Sequence, residues 1–238
     1  MSKISVIIPT YEHADTIAMA IRSALCQTFK PFEIIVVDDG STDGTKEVLA
    51  PFLERGDILY HYQDNAGSNP ARNKGFELSS GDFVIFLDAD IMMEDTMLEE
   101  LYNALREHPD RAYAYSGFSF GWKNFKSFSF DAKRLKQMNF IHTSALIRRE
   151  AFPGFDDDLL RFQDWDLWLT MLEQGNEGVH VPKNLFKAFQ APGRSAISSW
   201  RPSFFYKMPW SRLGFKPGSV HKYDDAKELV LKKHQLWT

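Results

Sequence analysis

Residues 83–90 read FVIFLDAD, five apolar residues followed by two carboxylates that stand two positions apart. The apolar run is typical of a strand that is buried on both faces. Two carboxylates at the end of such a strand would be costly to bury unpaired, and a divalent cation such as Mn²⁺ or Mg²⁺ would relieve that cost. A solvated turn is the alternative for an isolated D-x-D, because motifs this short arise frequently without function.

Three similar apolar runs precede this one, at residues 4–8, 33–37 and 58–62, and apolar residues with helical spacing separate them. Four strands separated by helices predict right-handed crossovers and an α/β fold with a Rossmann-like, mainly parallel central sheet flanked by helices. In such sheets ligands bind outside the carboxyl ends of the strands. The polar stretch that follows the first, second and fourth strands therefore predicts a site at one edge.

The pattern loosens after about residue 110. Strands are predicted at 112–115 and 141–147, a loop or hairpin over the Phe- and Ser-rich stretch 117–130, and a short helix from Gln163 to Leu172. There is no internal repeat and no low-complexity linker. Residues 1–199 are therefore predicted to form one domain.

Residues 200–238 differ from the rest in charge, with eight Lys and Arg, three acids and eight aromatic residues, although the whole chain has a net charge of −4. The overall charge argues against a general nucleic-acid binder. The spacing predicts a helix from Asp225 to Leu236, with Ala226, Leu229 and Val230 on its apolar face. Two interpretations remain: a helix docked on the domain, or a basic, aromatic surface for anionic lipid or a lipid-linked acceptor.

Asp38 and Asp39 end the second strand and begin an acidic, glycine-bearing turn. A carboxylate here can accept hydrogen bonds from a base N–H or from ribose hydroxyls. The structural alternative is a turn in which Ser41 or Thr42 caps the next helix. The chain contains neither the P-loop nor the G-x-G-x-x-G phosphate-binding pattern.

Residues 65–75 join the third strand to a helix, for which Asn69 suits the N-cap and Pro70 the first helical position. Arg72 would lie in the first turn, where the helix dipole disfavours a cation. It is better used to reach a phosphate or a carboxylate, and a structural ion pair is the competing interpretation.

Residues 163–169 read QDWDLWL and place two acids among bulky apolar residues at a helix start. An acid beside Trp in a partly dry pocket can have a raised pKa, which suits a general base. The alternative is that Asp164 caps the helix while Trp165 and Trp168 fill the core.

Together these segments resemble the family-two glycosyltransferases of GT-A fold. The matching stretches follow the order of that family over most of residues 1–180: 5–11, 36–45, 65–75, 87–90 and 163–169. The resemblance implies an inverting transferase that moves a sugar from a nucleotide-diphosphate sugar, UDP being favoured, to an acceptor hydroxyl in polysaccharide or glycoconjugate synthesis. It implies a nucleotide-sugar-binding half at 1–110 and an acceptor-side half at 111–199. The resemblance does not cover residues 200–238, which are predicted to form a basic, aromatic C-terminal extension with a helix.

The resemblance also implies roles for single residues. It implies donor contacts from six positions: Pro9, Thr10, Tyr11, Asp39, Arg72 and Asp88. Asp90 is implied as the ligand of Mn²⁺ or Mg²⁺, and Asp164 as the catalytic base. The implied partners are the nucleotide-sugar donor and a sugar or lipid-linked acceptor.

Two departures from the family pattern stand out. Gln163 occupies a position where family members usually carry Glu, which changes the neighbour of the implied base. The stretch 186–195 has no histidine to serve as a further metal or phosphate contact, although Lys187 and Arg194 could act on phosphates electrostatically.

Two other functions compete. A nucleotidyltransferase would usually need a basic, glycine-rich loop near the N-terminus, and residues 9–17 lack one. A non-catalytic nucleotide-sugar-binding module would be favoured if Asp164 were turned away from the cleft. One cysteine, no signal-peptide pattern and no long apolar run favour a cytoplasmic protein, with peripheral contact at the inner membrane face through residues 200–238 as an extension of that expectation.

Overall fold

The computed structural model describes residues 2–125, 127–189 and 218–236. The strands are β1 Ile4–Thr10, β2 Glu33–Asp38, β3 Leu59–Tyr62, β4 Phe83–Phe86, β5 Ile91–Met93, β6 Tyr113–Phe120, β7 Lys123–Phe125, β8 Leu146–Arg148 and β9 Gly178–Ala188. The helices are α1 Ile17–Leu25, α2 Thr45–Glu54, α3 Ser68–Leu78, α4 Met97–Glu107, α5 Ala132–Gln137, α6 Gln163–Glu173 and α7 Gly218–Lys233.

All nine strands join one sheet in the order β3-β2-β1-β4-β8-β6-β9-β5, with β7 paired to β6. The first four strands are parallel and are linked by helices, as the sequence predicts. The rest of the sheet is mixed, since β8 is antiparallel to β4 and β6, whereas β6 and β9 are parallel. The expected α/β fold with a helix-flanked central sheet is confirmed, and its parallel part lies on the N-terminal side.

Two predictions for the second half have different outcomes. The hairpin alternative for 117–130 is confirmed for its first part, because β6 continues to Phe120 and turns into β7. The strand predicted at 141–147 is wrong before residue 146. There the side chains of Asn139 and His142 accept hydrogen bonds from the backbone N–H groups of Ile141 and Ser144, which replace a strand ladder.

Apolar clusters cover both faces of the sheet. Along β1, Val6 and Ile8 belong to the cluster under α1, α2 and α4, whereas Ile7 belongs to the cluster on the opposite face, which includes residues of α5 and α6. This alternation explains why the strands are apolar throughout. Trp165 and Trp168 fill the second cluster, and both indole N–H groups donate to backbone carbonyls.

Ion pairs around the buried side chains of Asp166 and His234 tie the C-terminal helix to α6. Asp166 accepts from His234 Nε2 at 2.9 Å and from Lys233 Nζ, while His234 Nδ1 lies 2.8 Å from Glu173. Lys233 also binds Asp156, in the loop before α6, at 2.5 Å. With a carboxylate at each ring nitrogen, His234 is held as the imidazolium.

The helix differs in extent from the one predicted at 225–236, since it begins at Gly218. Val230 is fully buried as expected, but Leu229 is 52% exposed and does not belong to the docked face. For residues 218–236 the docked interpretation is therefore confirmed. Residues 200–217, and with them the predicted domain boundary, lie outside the described residues. No helix in the described ranges combines the length and apolarity that crossing a membrane requires.

The docking of α7 should depend on pH. Burial lowers the pKa of His234, but its bonds to Asp166 and Glu173 outweigh that effect and hold the pKa above its ordinary value. The stabilisation is then complete below the unfolded pKa of about 6.5 and is lost as pH rises through the folded pKa. We expect His234→Gln to lower the free energy of unfolding by about 1–3 kcal/mol near pH 6, and the difference from wild type to shrink towards pH 9.

Denaturant unfolding at both pH values measures this difference. His221, exposed on the same helix, is the matched control, and His221→Gln should leave the pH dependence unchanged. An equal destabilisation by His234→Gln at both pH values would contradict the ion-pair assignment.

Candidate active site

The ends of the first two strands meet at the edge where the sequence places the site. The backbone N–H of Asp39 donates to the carbonyl of Thr10 at 2.8 Å. Pro9 is buried within β1, and Tyr11, just beyond the strand, is 49% exposed. The hydroxyl of Thr10 is buried and has no hydrogen-bond partner among the described residues. A polar atom left in this way at a sheet edge is a group that a ligand can satisfy.

Asp39 organises the loop that leads into α3. Its Oδ1 accepts from Gln63 Nε2 at 2.8 Å and from the N–H of Ala66 at 2.9 Å, and its Oδ2 accepts from the N–H of Gly67 at 2.8 Å. A carboxylate offers about four acceptor positions, so one remains for a ligand. The sequence suggested a base or ribose contact, and the structure adds a role in shaping the loop.

The turn after β2 is held by side chains that the sequence suggested as ligand contacts or helix caps. Asp38 accepts from the N–H of Ser41 and from the hydroxyl of Tyr60. The predicted capping of α2 by Ser41 or Thr42 is wrong, because both hydroxyls bind Glu12 instead. The helix begins after Gly44, whose positive φ suits a residue without a Cβ.

Arg72 is buried near the N-terminal end of α3, as its fifth residue and not in the predicted first turn, and it binds a carboxylate. Its Nη2 donates to Asp88 Oδ1 at 2.8 Å and its Nη1 to Asn69 Oδ1 at 3.1 Å, while its guanidinium lies over the ring of Phe155. The Nε of Arg72 is buried and has no partner among the described residues. Of the two partners predicted for Arg72, the carboxylate is present, and the Nε keeps a donor available for a second anion.

Asn69 is not the cap that the sequence suggests, since α3 begins at Ser68 after Gly67. Its side-chain amide donates to the carbonyls of Asp156 and Leu159, in the loop before α6. Gln163 reinforces the same connection, because its amide donates to the hydroxyl of Ser68 and to the carbonyl of Leu159. A glutamate at position 163 could not donate these bonds, so the departure from the family pattern has a structural use here.

Asp88 and Asp90 lie in the turn that leaves β4. Burial raises the pKa of Asp88, but the positive charge and the hydrogen bond of Arg72 hold it below its ordinary value. Asp90 is half-buried, and its carbonyl accepts from the N–H of Phe189. Within the described ranges, no cluster of three His, Cys, Asp or Glu side chains could hold a metal ion. Two carboxylates fit a cation that takes its other ligands from phosphates and water, as Mg²⁺ does.

The stretch 186–195, which includes the end of β9, offers Lys187 and Arg194 as predicted phosphate contacts. Lys187 pairs with Met92 in the sheet, and its Nζ lies 5.0 Å from the ring centre of Phe189. Arg194 lies outside the described residues.

Asp164 begins α6 and does not cap it, because the N-cap is Phe162, at φ 58°, and no side chain caps the helix. Its Oδ2 accepts from Asn139 Nδ2 at 2.6 Å, and its Oδ1 accepts from the N–H of Trp165. Asn139 Oδ1 accepts from the N–H of Ile141, which fixes the amide so that its NH₂ faces Asp164. Burial raises the pKa of Asp164 above its ordinary value, although these hydrogen bonds oppose the rise.

Hydrogen bonds bring several of the predicted residues together. Arg72 of α3 donates to Asp88, and Gln163, which precedes Asp164 in α6, donates to Ser68 at the start of α3, so the turn after β4, the start of α3 and the start of α6 adjoin one another. Thr10 and Asp39 adjoin them through the loop before α3. Asp166, the second acid of α6, points away and binds α7.

Sequence reasoning missed Asn139 and His142, both in the stretch 139–144. Neither belongs to a motif with recognisable spacing. The only signal was polar residues inside a stretch predicted as a strand, such as His142 and Ser144 between apolar neighbours. Their contacts with the site come from long-range packing.

Residues 5–155 match the family model described as Glycosyl transferase family 2. Glycosyltransferase GlyA of Streptococcus pneumoniae serotype 4 is 41% identical over 107 residues, which are 44% of this chain and 15% of GlyA. The chain thus covers a small part of that relative's length.

Two solved structures share the fold. S. aureus TarS in complex with UDP-GlcNAc matches with a TM-score of 0.70 and 21% identity, over 86% of this chain and 64% of the TarS chain. Mannosyltransferase PcManGT from Pyrobaculum calidifontis, in complex with GDP-Man and Mn²⁺, matches with a TM-score of 0.62 and 19% identity, over 96% of this chain and 70% of that chain. The fold is therefore of GT-A type, and because the family model matches more than half of its length, the chain belongs to glycosyl transferase family 2.

Proposed function

We propose that this chain is a metal-dependent, inverting glycosyltransferase that moves a sugar from a nucleotide-diphosphate sugar to an acceptor hydroxyl. One observation carries the proposal. The start of α6, which carries the half-buried Asp164 of raised pKa, is joined by Gln163 to the start of α3, whose Arg72 binds Asp88 at the sheet edge where ligands of such folds bind.

The nucleotide of the donor is proposed to lie at the ends of β1 and β2, against Pro9, Thr10 and Tyr11. The buried Thr10 hydroxyl and the remaining acceptor position of Asp39 supply polar contacts for base or ribose. UDP is the favoured nucleotide, and the UDP-GlcNAc complex of TarS supports this choice by analogy of fold.

The donor diphosphate is proposed to lie near Arg72 and the turn at Asp88 and Asp90. Arg72 keeps a buried Nε donor, and Asp88 is already neutralised by Arg72 and so suits a ribose contact. Asp90 would hold Mn²⁺ or Mg²⁺, a proposal that the Mn²⁺ complex of PcManGT supports. When bound, the cation would offset the negative charge that develops on the leaving diphosphate.

Asp164 is proposed as the general base. Asn139 directs Oδ2 of this carboxylate, and burial raises its affinity for a proton. In the proposed step the acceptor oxygen attacks the anomeric carbon as its proton passes to Asp164, the bond to the diphosphate breaks, and the configuration inverts.

The competing functions lack comparable support. A non-catalytic module favours an Asp164 turned away from the cleft, whereas this carboxylate is half-buried and is held by Asn139 and by the N–H of Trp165. A nucleotidyltransferase would release pyrophosphate. A metal-supplemented screen of UDP-, GDP- and dTDP-sugars that scores nucleoside diphosphate against pyrophosphate therefore tests the proposal directly, and turnover that releases only pyrophosphate would refute it.

Replacement of the two acids of α6 should have different effects, a loss of activity at Asp164 and a loss of stability at Asp166. Asp164→Asn keeps shape but removes basicity, so transfer should fall by about 10²–10⁴-fold while donor binding survives. Asp166→Asn should weaken the docking of α7 and lower the melting temperature, with activity retained in the folded fraction. Transfer rates at saturating donor, measured beside melting curves, compare the two, and a fully active Asp164→Asn would remove the base assignment.

Binding of nucleoside diphosphate should need a divalent cation and should depend on Asp90. Calorimetry with UDP or GDP, with and without Mn²⁺, is expected to show metal-enhanced binding to wild type that Asp90→Ala loses. Asp95, an exposed acid shortly after this turn, provides the control variant Asp95→Ala, which should bind as wild type does. Equal metal enhancement in Asp90→Ala would rule out this ligand.

Replacement of Asn139 should change the pH at which the transfer rate falls on the acidic side of the pH–rate profile. The bond from Asn139 stabilises the ionised form of Asp164 and lowers its pKa, so Asn139→Ala should raise that pKa further. Because the base must be ionised, the fall in rate at low pH should move to higher pH, with little change on the high-pH plateau. Rates at saturating donor across pH measure this, and an unshifted limb would show that Asp164 does not control it.

A further inference from the structure

His142 is a half-buried histidine that the proposed mechanism does not use. It lies in the stretch 139–144, in which Asn139 donates to Asp164 and Ser144 donates to the carbonyl of Phe86, two residues before Asp88. Its ring packs against Phe118 and Phe186, at centroid distances of 5.2 and 4.9 Å. These two phenyl rings stack on each other with an interplanar angle of 4°.

The hydrogen bonds of His142 fix its tautomer. Nδ1 accepts from the backbone N–H of Ser144 at 3.1 Å. A backbone N–H is only a donor, so Nδ1 carries its lone pair and the ring proton lies on Nε2. In this state Nε2 is a hydrogen-bond donor and is not available as a metal ligand.

Ser144, which donates its N–H to the ring of His142, is itself anchored to β4. Ser144 donates its hydroxyl hydrogen to the carbonyl of Phe86, at the end of β4 and two residues before Asp88. The aromatic packing and this anchor leave His142 little freedom to rotate. Burial keeps its pKa below the ordinary value, although Asp88 and Asp164 oppose that shift, so the neutral ring is the form in the site.

We propose that the Nε2–H of His142 donates a hydrogen bond to a hydroxyl oxygen of the sugar being transferred. The inference rests on the proposed function, because it takes Asp88 as a donor contact and Asp164 as the base. The reacting sugar must then lie between the two carboxylates, and His142 belongs to the stretch that runs from the contact with Asp164 to the end of β4. A neutral donor suits a sugar hydroxyl, whereas a diphosphate is better bound by a cation such as Arg72.

This role predicts that His142 affects the affinity for a UDP-sugar but not the affinity for UDP. UDP lacks the sugar, so its binding should not depend on His142. A UDP-sugar should lose one neutral hydrogen bond when the donor is removed, which corresponds to an affinity about 3- to 10-fold weaker. A residue that only supports the fold would weaken both ligands alike or neither.

Two variants isolate the Nε2–H. In His142→Asn the amide oxygen can still accept from Ser144 but no group reaches the Nε2 position. In His142→Gln the longer amide places an N–H near that position. The pair therefore separates the structural bond from the proposed donor, and melting curves check that both variants fold.

Calorimetry with Mn²⁺ and no acceptor compares UDP with UDP-glucose, UDP-galactose and UDP-GlcNAc, and GDP with GDP-mannose. For whichever nucleotide sugar wild type binds, His142→Asn should bind the nucleoside diphosphate within about twofold of wild type, lose the expected affinity for the sugar form, and regain part of it as His142→Gln. Parallel weakening of both ligands, or unchanged affinity for the sugar form, overturns the role of His142. Failure of wild type to bind any nucleotide or nucleotide sugar overturns the proposed function itself, a result distinct from the other two.

Discussion

A buried guanidinium sets the arrangement of this site. Arg72 lies near the N-terminal end of α3, as the fifth residue of the helix, and it is only 6% exposed. Such a charge must be surrounded by acceptors, because an unpaired buried ion is far costlier than a paired one. Asp88 and Asn69 supply the acceptors, and this requirement fixes the start of α3 against the end of β4.

The same region positions the proposed base through a series of hydrogen bonds and ion pairs. Asn69 and Asn73 of α3 bind backbone carbonyls in the loop before α6. From the other side, Lys233 of α7 binds Asp156 in that loop and Asp166 in α6. The position of Asp164 therefore depends on segments that are distant in sequence. A substitution far from the chemistry can then change activity by shifting this carboxylate by a fraction of an ångström.

The parts of the fold that follow from local pattern could be predicted, and the parts set by tertiary contact could not. Continuous apolar runs identified β1, β2 and β4 because both faces of these strands are covered. The three-residue strand β5 and the six-residue helix α5 are too short to produce a periodic signal. The stretch 141–147 ends in the apolar run of residues 145–147 and so resembles a strand, yet side chains bind the backbone of its first part and keep that part out of the sheet.

The acids of the site could be placed at one edge by topology, but their chemical difference appears only in three dimensions. Asp88 has Arg72 as a direct partner, and its pKa falls. Asp164 has a neutral amide and a backbone N–H as partners, and burial dominates its pKa. Two carboxylates that face the same space are thus driven in opposite directions: Asp88 remains charged, while Asp164 gains affinity for a proton. This separation suits one carboxylate to a polar or cationic ligand and the other to proton transfer, and it arises because the guanidinium pairs with only one of them.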